Sequence, residues 1–394
     1  MSVSNVLGTA LACFFLIKNP RHCKRYALFI ALGLAVFAYS YNPTGTSDLT
    51  RYIETILKAR DMPISDYFLQ RGDNLFITNT VFWIAGQLNL PHLVPAISVL
   101  VVYAVTFYIT TDFAVLTGNE KNVWKVMLIQ MMCLNYVNVM NNVRNICAFA
   151  VIILALYRES IKKKRDALTI VLYIAACFIH ESGIILVVIR LVQFILRKRI
   201  VIAVGLAAVI PTVVNFLFPY TKVIARYGAI GTIISNFLRV SYYAMYSTSR
   251  WARVVMSSSR HLADRYLSMA LCAVLFAAIC YLLWQKQGNM MFIFLAMLCL
   301  FTISCNVFRT PAYWRMYSAC VCCGGPLLLM MDPGRKYRKP VIRLLYGAVL
   351  ILTVLLFVVH SYSSASDISY IELFEQSLMT PLAVIVVQFF MALF

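Results

Sequence analysis

The sequence predicts an all-α, polytopic membrane protein, and three observations carry that expectation. The chain has 394 residues, 62% of them hydrophobic, with a mean hydropathy of +0.80. Only 13% are charged, where a soluble chain carries about a quarter. Apolar segments long enough to cross roughly 30 Å of hydrocarbon recur from end to end, separated by short loops rich in Lys and Arg. One integral membrane domain, 1–394, is expected, with no separate soluble unit.

The formal net charge is +20. In a soluble chain that would suggest nucleic acid. Here much of it is the cytoplasmic bias of basic residues in short loops, so no nucleic-acid partner is expected. The strongest basic loops are 18–25, 158–165, 197–199 and 332–340, and all four are placed on the cytoplasmic side. The weaker 119–125 and 285–289 join them.

Those loops set about thirteen spans: 4–17, 26–41, 92–111, 124–140, 143–157, 166–180, 183–196, 200–218, 263–284, 290–307, 313–331, 341–360 and 378–394. Only about 31 residues separate 158–165 from 197–199, enough for two short helices that turn near His180–Gly183. The stretch "LFITNTVFWIAGQL" (75–88) is short and carries Thr78, Asn79, Thr80 and Gln87. Parity requires that it not cross, so it is read as an interfacial or re-entrant helix on the outer side. The N-terminus is then outside and the C-terminus inside. A removable signal peptide is not expected, since the first segment lacks a basic n-region. Two long outer segments remain, 42–91 and 219–262, in which "ISDYFLQ" and "IGTIISNFLRVSYYAMY" read as amphipathic surface helices.

Five outer-side constellations could carry chemistry. In "YNPTGTSDLTRYIE" (41–54), Ser47 or Asp48 could cap a helix that puts Asp48 and Tyr52 on one face with Arg51 beside them. The bland alternative is a capped surface helix. In "NVMNNVRNICAFA" (138–150), Arg144 opens a helix among Asn141, Asn142 and Asn145 at a tight outer turn. A snorkelling Arg explains the charge but not the amides; a pocket for an anion or sugar hydroxyls explains both. His180 and Glu181 sit at the hairpin tip, where His can exchange a proton near neutrality, against the bland reading of a wetted turn. From Lys222 to Arg265 the chain carries Lys222, Arg226, Arg239, Arg250, Arg253, Arg260 and Arg265 against one acid, Asp264. Arg grips phosphate with a fork, while anionic headgroups are the simpler attraction. Tyr242, Tyr243, Tyr246 and Trp251 add flat apolar faces for a sugar ring or interfacial lipid. Last, "NVFRTPAYWRMY" (306–317) brings Arg309 and Arg315 to an outer turn. Their convergence on one side predicts a cavity for a lipid-linked, phosphate-bearing substrate.

The twelve cysteines lie almost all in apolar segments, with Cys23 in a loop. Cys320, Cys322 and Cys323 cluster, but no His or second Cys pair completes a metal spacing, so they are expected to be small hydrophobic residues of the helix core. No metal and no cofactor is expected. Walker, HExxH and GxSxG motifs are absent from the sequence, so activation must arrive with the substrate.

In order along the chain, GTSDLTRY, NVRNICA, FIHESGIIL and a late YWRMY resemble the EpsG-like branch of the bacterial Wzy O-antigen, capsule and exopolysaccharide polymerase family. The resemblance runs from about residue 40 to 320, with Ser47 between Thr46 and Asp48, Asn145 where Gln is usual and Gly183 where Ala is usual. It implies a GT-C-like glycosyltransferase in a bacterial cytoplasmic (inner) membrane. Such an enzyme joins repeat units carried on undecaprenyl diphosphate at the outer face, with a chain-length regulator as a protein partner. In that reading His180 is the base or orients the acceptor. Arg144, Arg315 and Arg from 226–260 hold the diphosphate, and Asp48 or Glu181 is the alternative base. Arg51, Tyr52, Asn141, Asn142 and Arg309 complete the substrate contacts. An O-antigen ligase has the same physics, and a flippase for the lipid-linked unit is the rival of another class.

Overall fold

In hydrocarbon every backbone N–H and C=O needs a partner within the chain, so an apolar chain crosses as helix. The computed structural model describes residues 2–43, 48–72, 75–228, 231–232, 234–235, 238–239, 242, 259–307, 313–332 and 340–362. Among the described residues it is helical, without a strand. Five helices are long and apolar enough to cross a membrane: Leu93–Thr117, Ile200–Ile224, Leu262–Trp284, Met290–Val307 and Pro340–Ser361. Val6–Lys18, Ala167–Ile179 and Gly183–Ile195 are shorter apolar helices. The chain is a polytopic, all-helical membrane protein. The span expected at 378–394 lies outside the described residues.

The order begins with α1 (Ser2–Lys18), α2 (Cys23–Tyr39), α3 (Asp48–Lys58), α4 (Ile64–Arg71), α5 (Phe76–Gln87) and α6 (Leu93–Thr117). It continues with α7 (Val123–Cys133), α8 (Tyr136–Asn141), α9 (Val143–Ser160), α10 (Ala167–Ile179), α11 (Gly183–Ile195), α12 (Ile200–Leu217) and α13 (Thr221–Ile224). After the second long segment come α14 (Ser259–Trp284), α15 (Met290–Val307), α16 (Tyr313–Met331) and α17 (Pro340–Tyr362). Cys23, read from the sequence as a loop residue, is the buried first residue of α2.

One expected span is broken. Residues 124–140 do not form a single helix: α7 stops at Cys133, Leu134 is extended, and Asn135 caps α8 by accepting the Asn138 N–H at 3.0 Å. The short Asn amide offers the backbone a partner that a continuing helix would refuse. Starting from the basic end, α7 rises only about 16 Å, about half the thickness of a bilayer's hydrocarbon core. Irregular backbone at such depth survives only when packed in protein or lining a wet cavity. Both arms of the α10–α11 hairpin are likewise about 20 Å long, short of a full crossing. Both features leave the site end recessed.

The basic loops gather at one end of the bundle, as the topology requires. The Asp112 carboxylate receives Lys24 and Lys162, each at 2.6 Å, and the Tyr157 hydroxyl at 2.6 Å. Glu159 holds Arg190 at 2.7 Å, and Gln193 donates to the Met290 carbonyl at 2.6 Å. Asn119 donates to the Leu329 carbonyl at 3.0 Å, which places the end of α16 there too. At the opposite end a small apolar cluster of Ile56, Ala59, Tyr67, Phe82, Ala85, Val94 and Val143 seats α3, α4 and α5 on the tops of α6 and α9. Polar groups of α5 tie it to its neighbours. Thr78 donates to Ile179 O at 2.7 Å, Trp83 to Met62 O at 2.9 Å, and Gln87 to Ala59 O at 2.7 Å. Apolar side chains exposed along α12 and α17, such as Val201, Phe216, Leu344 and Ile351, form the lipid-facing surface.

Within the core α16 is drawn close to α6 and α7 by a polar brace: Thr110 donates to Gln130 at 2.8 Å, and Gln130 donates to Val321 O at 3.1 Å. Gly325 is the residue that permits the approach, since a Cβ there would collide with Thr110 and Gln130, whereas Gly324 faces open space. Gly325→Ala is expected to lower stability by about 1–3 kcal/mol through overpacking. Gly324→Ala should be neutral or gain up to about 1 kcal/mol from helix propensity. Thermal unfolding of the two purified variants side by side reads the difference, and equal melting would contradict the close approach.

Candidate functional site

Three helices begin at the end opposite the basic loops with a cation or a titratable ring in or just before their first turn. Arg144 is the second residue of α9, Arg315 the third of α16, and His180 stands just before α11. None of the three first turns carries an acid. A helix N-terminus already bears partial positive charge, so cations there are misplaced for helix stability and well placed for an anion.

The fold brings these groups together. The Arg144 guanidinium lies over the Tyr52 ring, 4.9 Å from its centroid, and donates to the Tyr52 hydroxyl at 3.2 Å. Arg144 Nε is buried with no partner, and so is Asn141 Oδ1. Orphaned polar atoms at a half-buried Arg do not fit a snorkelling side chain, whose head would reach water. Arg315 lies within electrostatic reach of Arg144, Tyr52 and Asp48. Both guanidiniums act on His180.

His180 is held by its own turn. It ends α10 in extended backbone, and the Ser182 N–H donates to its Nδ1 at 3.0 Å. Ser182 Oγ lies 2.8 Å from Nδ1 and donates to Asn145 Oδ1 at 2.8 Å, tying the tip to α9. Gly183 lets the tip close, since a Cβ there would stand 2.9 Å from the Ala176 carbonyl. Burial first, then Arg144 and Arg315, holds the His180 pKa well below the ordinary imidazole range. The ring is therefore neutral at pH 7. A backbone N–H can only donate, so Nδ1 accepts and the ring proton rides on Nε2.

A second cluster supports α16. Asp264 on α14 receives the Tyr313 hydroxyl at 3.0 Å and pairs with His360 Nε2 at 2.9 Å. Arg265 donates to Asn306 O at 2.6 Å. These contacts fasten the first turn of α16, which carries Arg315, to α14, α15 and α17. Sequence reasoning singled out neither His360 nor Ser182 for a role. The His-x-Ser spacing was the available signal for Ser182; His360 had none, being the last residues of an apolar run.

Of the other expected residues, some border the cluster and others do not reach it. Asp48 opens α3 and pairs with Arg51, which is exposed. Asn141 and Asn142 are buried at the α8–α9 turn. Glu181 points outward, and Arg226 and Arg239 are exposed, without a contact to the cluster among the described residues. Tyr242 is stacked on Phe218 at 3.5 Å, so that face is already used. Arg250, Arg253, Arg260, Arg309, Tyr243, Tyr246 and Trp251 lie outside the described residues or have side chains that do.

The EpsG family model matches residues 24–375. No curated protein and no solved structure matches the chain.

Arg144→Gln removes one of the two like charges acting on His180. Its protonated form is then less disfavoured, so the His180 pKa should rise toward the ordinary value of about 6.5. Nitrogen NMR of ring-labelled protein, assigned through His180→Gln, measures this; an unchanged or lower pKa contradicts the juxtaposition.

Proposed function

The chain belongs to the EpsG family, and from that premise we propose that it is a polysaccharide polymerase acting as a glycosyltransferase on lipid-diphosphate-linked repeat units. In this reading it is a thirteen-span, GT-C-like protein of a bacterial cytoplasmic membrane. Its basic loops face inward, and the recessed site opens to the outer face. The carrier is undecaprenyl diphosphate, and the product is an O-antigen, capsule or exopolysaccharide chain. The observation that carries the reading is the meeting of Arg144 and Arg315 beside a neutral His180 at three helix N-termini.

Two guanidiniums in a low-dielectric recess repel each other, and a diphosphate relieves that repulsion. As the bond between the sugar and the diphosphate breaks, charge grows on the leaving oxygen, and the same two groups stabilise it. The charge needed for transfer comes from these side chains, and no metal is assigned to the step. His180 presents Nε2–H as a donor, so it orients the acceptor hydroxyl rather than taking its proton. The hydroxyl oxygen attacks the sugar carbon, the new glycosidic bond forms, and the proton passes to Asp48, the carboxylate within reach of Arg315. The Tyr52 ring and the Asn141 amide supply sugar contacts.

The test is purified full-length protein with a lipid-diphosphate repeat unit, the product resolved as a ladder on a gel. His180→Gln keeps an N–H near Nε2 but cannot act as a base. It should cost about tenfold or less, whereas His180→Ala and Asp48→Asn should each cost on the order of 10²-fold or more. No ladder from the wild-type chain, or a normal ladder from His180→Ala, overturns the proposal. Equal loss in Gln and Ala variants returns His180 to the role of base.

A further inference from the structure

In the apolar interior three thiols meet. Cys272 on α14, Cys299 on α15 and Cys320 on α16 are wholly buried, and their sulfur atoms all lie within 4.8 Å of one another. Each stands well inside its own helix. Thr302 Oγ1 lies 3.5 Å from Cys320 Sγ. The neighbouring Cys322 and Cys323 are not part of the group. We propose that this triad is a binding site for a soft monovalent cation of the Cu(I) class.

Geometry and donor type each support this. A metal–thiolate bond is about 2.3 Å, so a flat three-sulfur site needs sulfurs about 4.0 Å apart. A triangle with sides no longer than 4.8 Å has a centre within about 2.8 Å of each corner, so an inward shift of about half an ångström closes it. Among the described residues the cluster offers three sulfurs and no His or carboxylate. Zinc seeks four ligands, while thiolates without harder donors select Cu(I). When Cu(I) enters, each sulfur that bonds it does so as a thiolate and releases its proton to water. Because binding displaces protons, it weakens as pH falls. An occupied site would join α14, α15 and α16, and Cys320 lies five residues, about 7.5 Å, along α16 from Arg315.

The test uses full-length protein in detergent, reduced and metal-stripped, with Cu(I) supplied anaerobically against a chromophoric Cu(I) chelator. The expected result is one Cu(I) retained per chain, with X-ray absorption giving three sulfurs at about 2.3 Å. Cys272→Ala, Cys299→Ala and Cys320→Ala should each lose it, while Cys322→Ala and Cys323→Ala keep it. Added Cu(I) should raise the melting temperature of the wild-type chain and leave Cys299→Ala unchanged. A two-sulfur or nitrogen-containing shell in the wild-type protein overturns the proposal without recourse to any variant. So does equal copper retention in Cys299→Ala.

Discussion

Two like charges held together where the dielectric is low are the constraint around which the site end is organised. Arg144 and Arg315 lie 171 residues apart in the chain, and each stands where a helix dipole already disfavours a cation. Left to themselves these groups would part or reach for water. Packing prevents it: the first turn of α16 is fastened through Tyr313 and Asp264, and Arg144 is pinned over Tyr52 on a helix seated by the Ile56–Val143 cluster. Holding two guanidiniums this close costs packing energy that a bound anion would offset, which is why the proposed reading gives them a negatively charged substrate.

The two ends of the bundle use the same residue types in opposite ways. At the basic end Asp112 and Glu159 are paired: Asp112 takes two ammonium groups and a phenol, and Glu159 takes Arg190 and the Tyr173 hydroxyl. Those pairs knit loops together and leave nothing to bind. At the site end Arg144 keeps an orphan Nε, and Asp48, a carboxylate within reach of Arg315, is shared with exposed Arg51. The positive-inside bias therefore explains one set of cations and not the other.

Much of this was legible in the sequence because membrane crossing leaves few choices. The helix expected at 290–307 occurs over those residues, and the short α10–α11 hairpin follows from counting residues between two basic loops. The break at Leu134–Asn135 was not legible, since "MMCLNYVNVM" reads as one apolar run and only the local competition by Asn135 ends it. The partners of Asp264 were hidden for another reason: His360 and Tyr313 come from distant helices, and hydropathy carries no information on which helices touch. The same blindness covered the thiols. Cys320, Cys322 and Cys323 are neighbours in sequence, yet the spatial partners of Cys320 are Cys272 and Cys299. A helix puts consecutive residues on different faces, so a sequence cluster is poor evidence for a spatial one.

The position of a single proton separates two readings of His180. A histidine that serves as base through Nε2 needs Nδ1–H donated to an acceptor, as when a carboxylate fixes the tautomer. Here the backbone N–H of Ser182 occupies that place, and a donor facing Nδ1 favours the opposite tautomer. The two guanidiniums push the same way, since a ring that took up a proton would become a third cation among them. A group that resists protonation and already carries its proton on the exposed nitrogen is suited to hold an oxygen in place, and the proton of an attacking hydroxyl must then leave by another route. The carboxylate of Asp48 lies within reach of Arg315 and is not wholly buried, and in the proposed reaction it takes that proton and passes it to water.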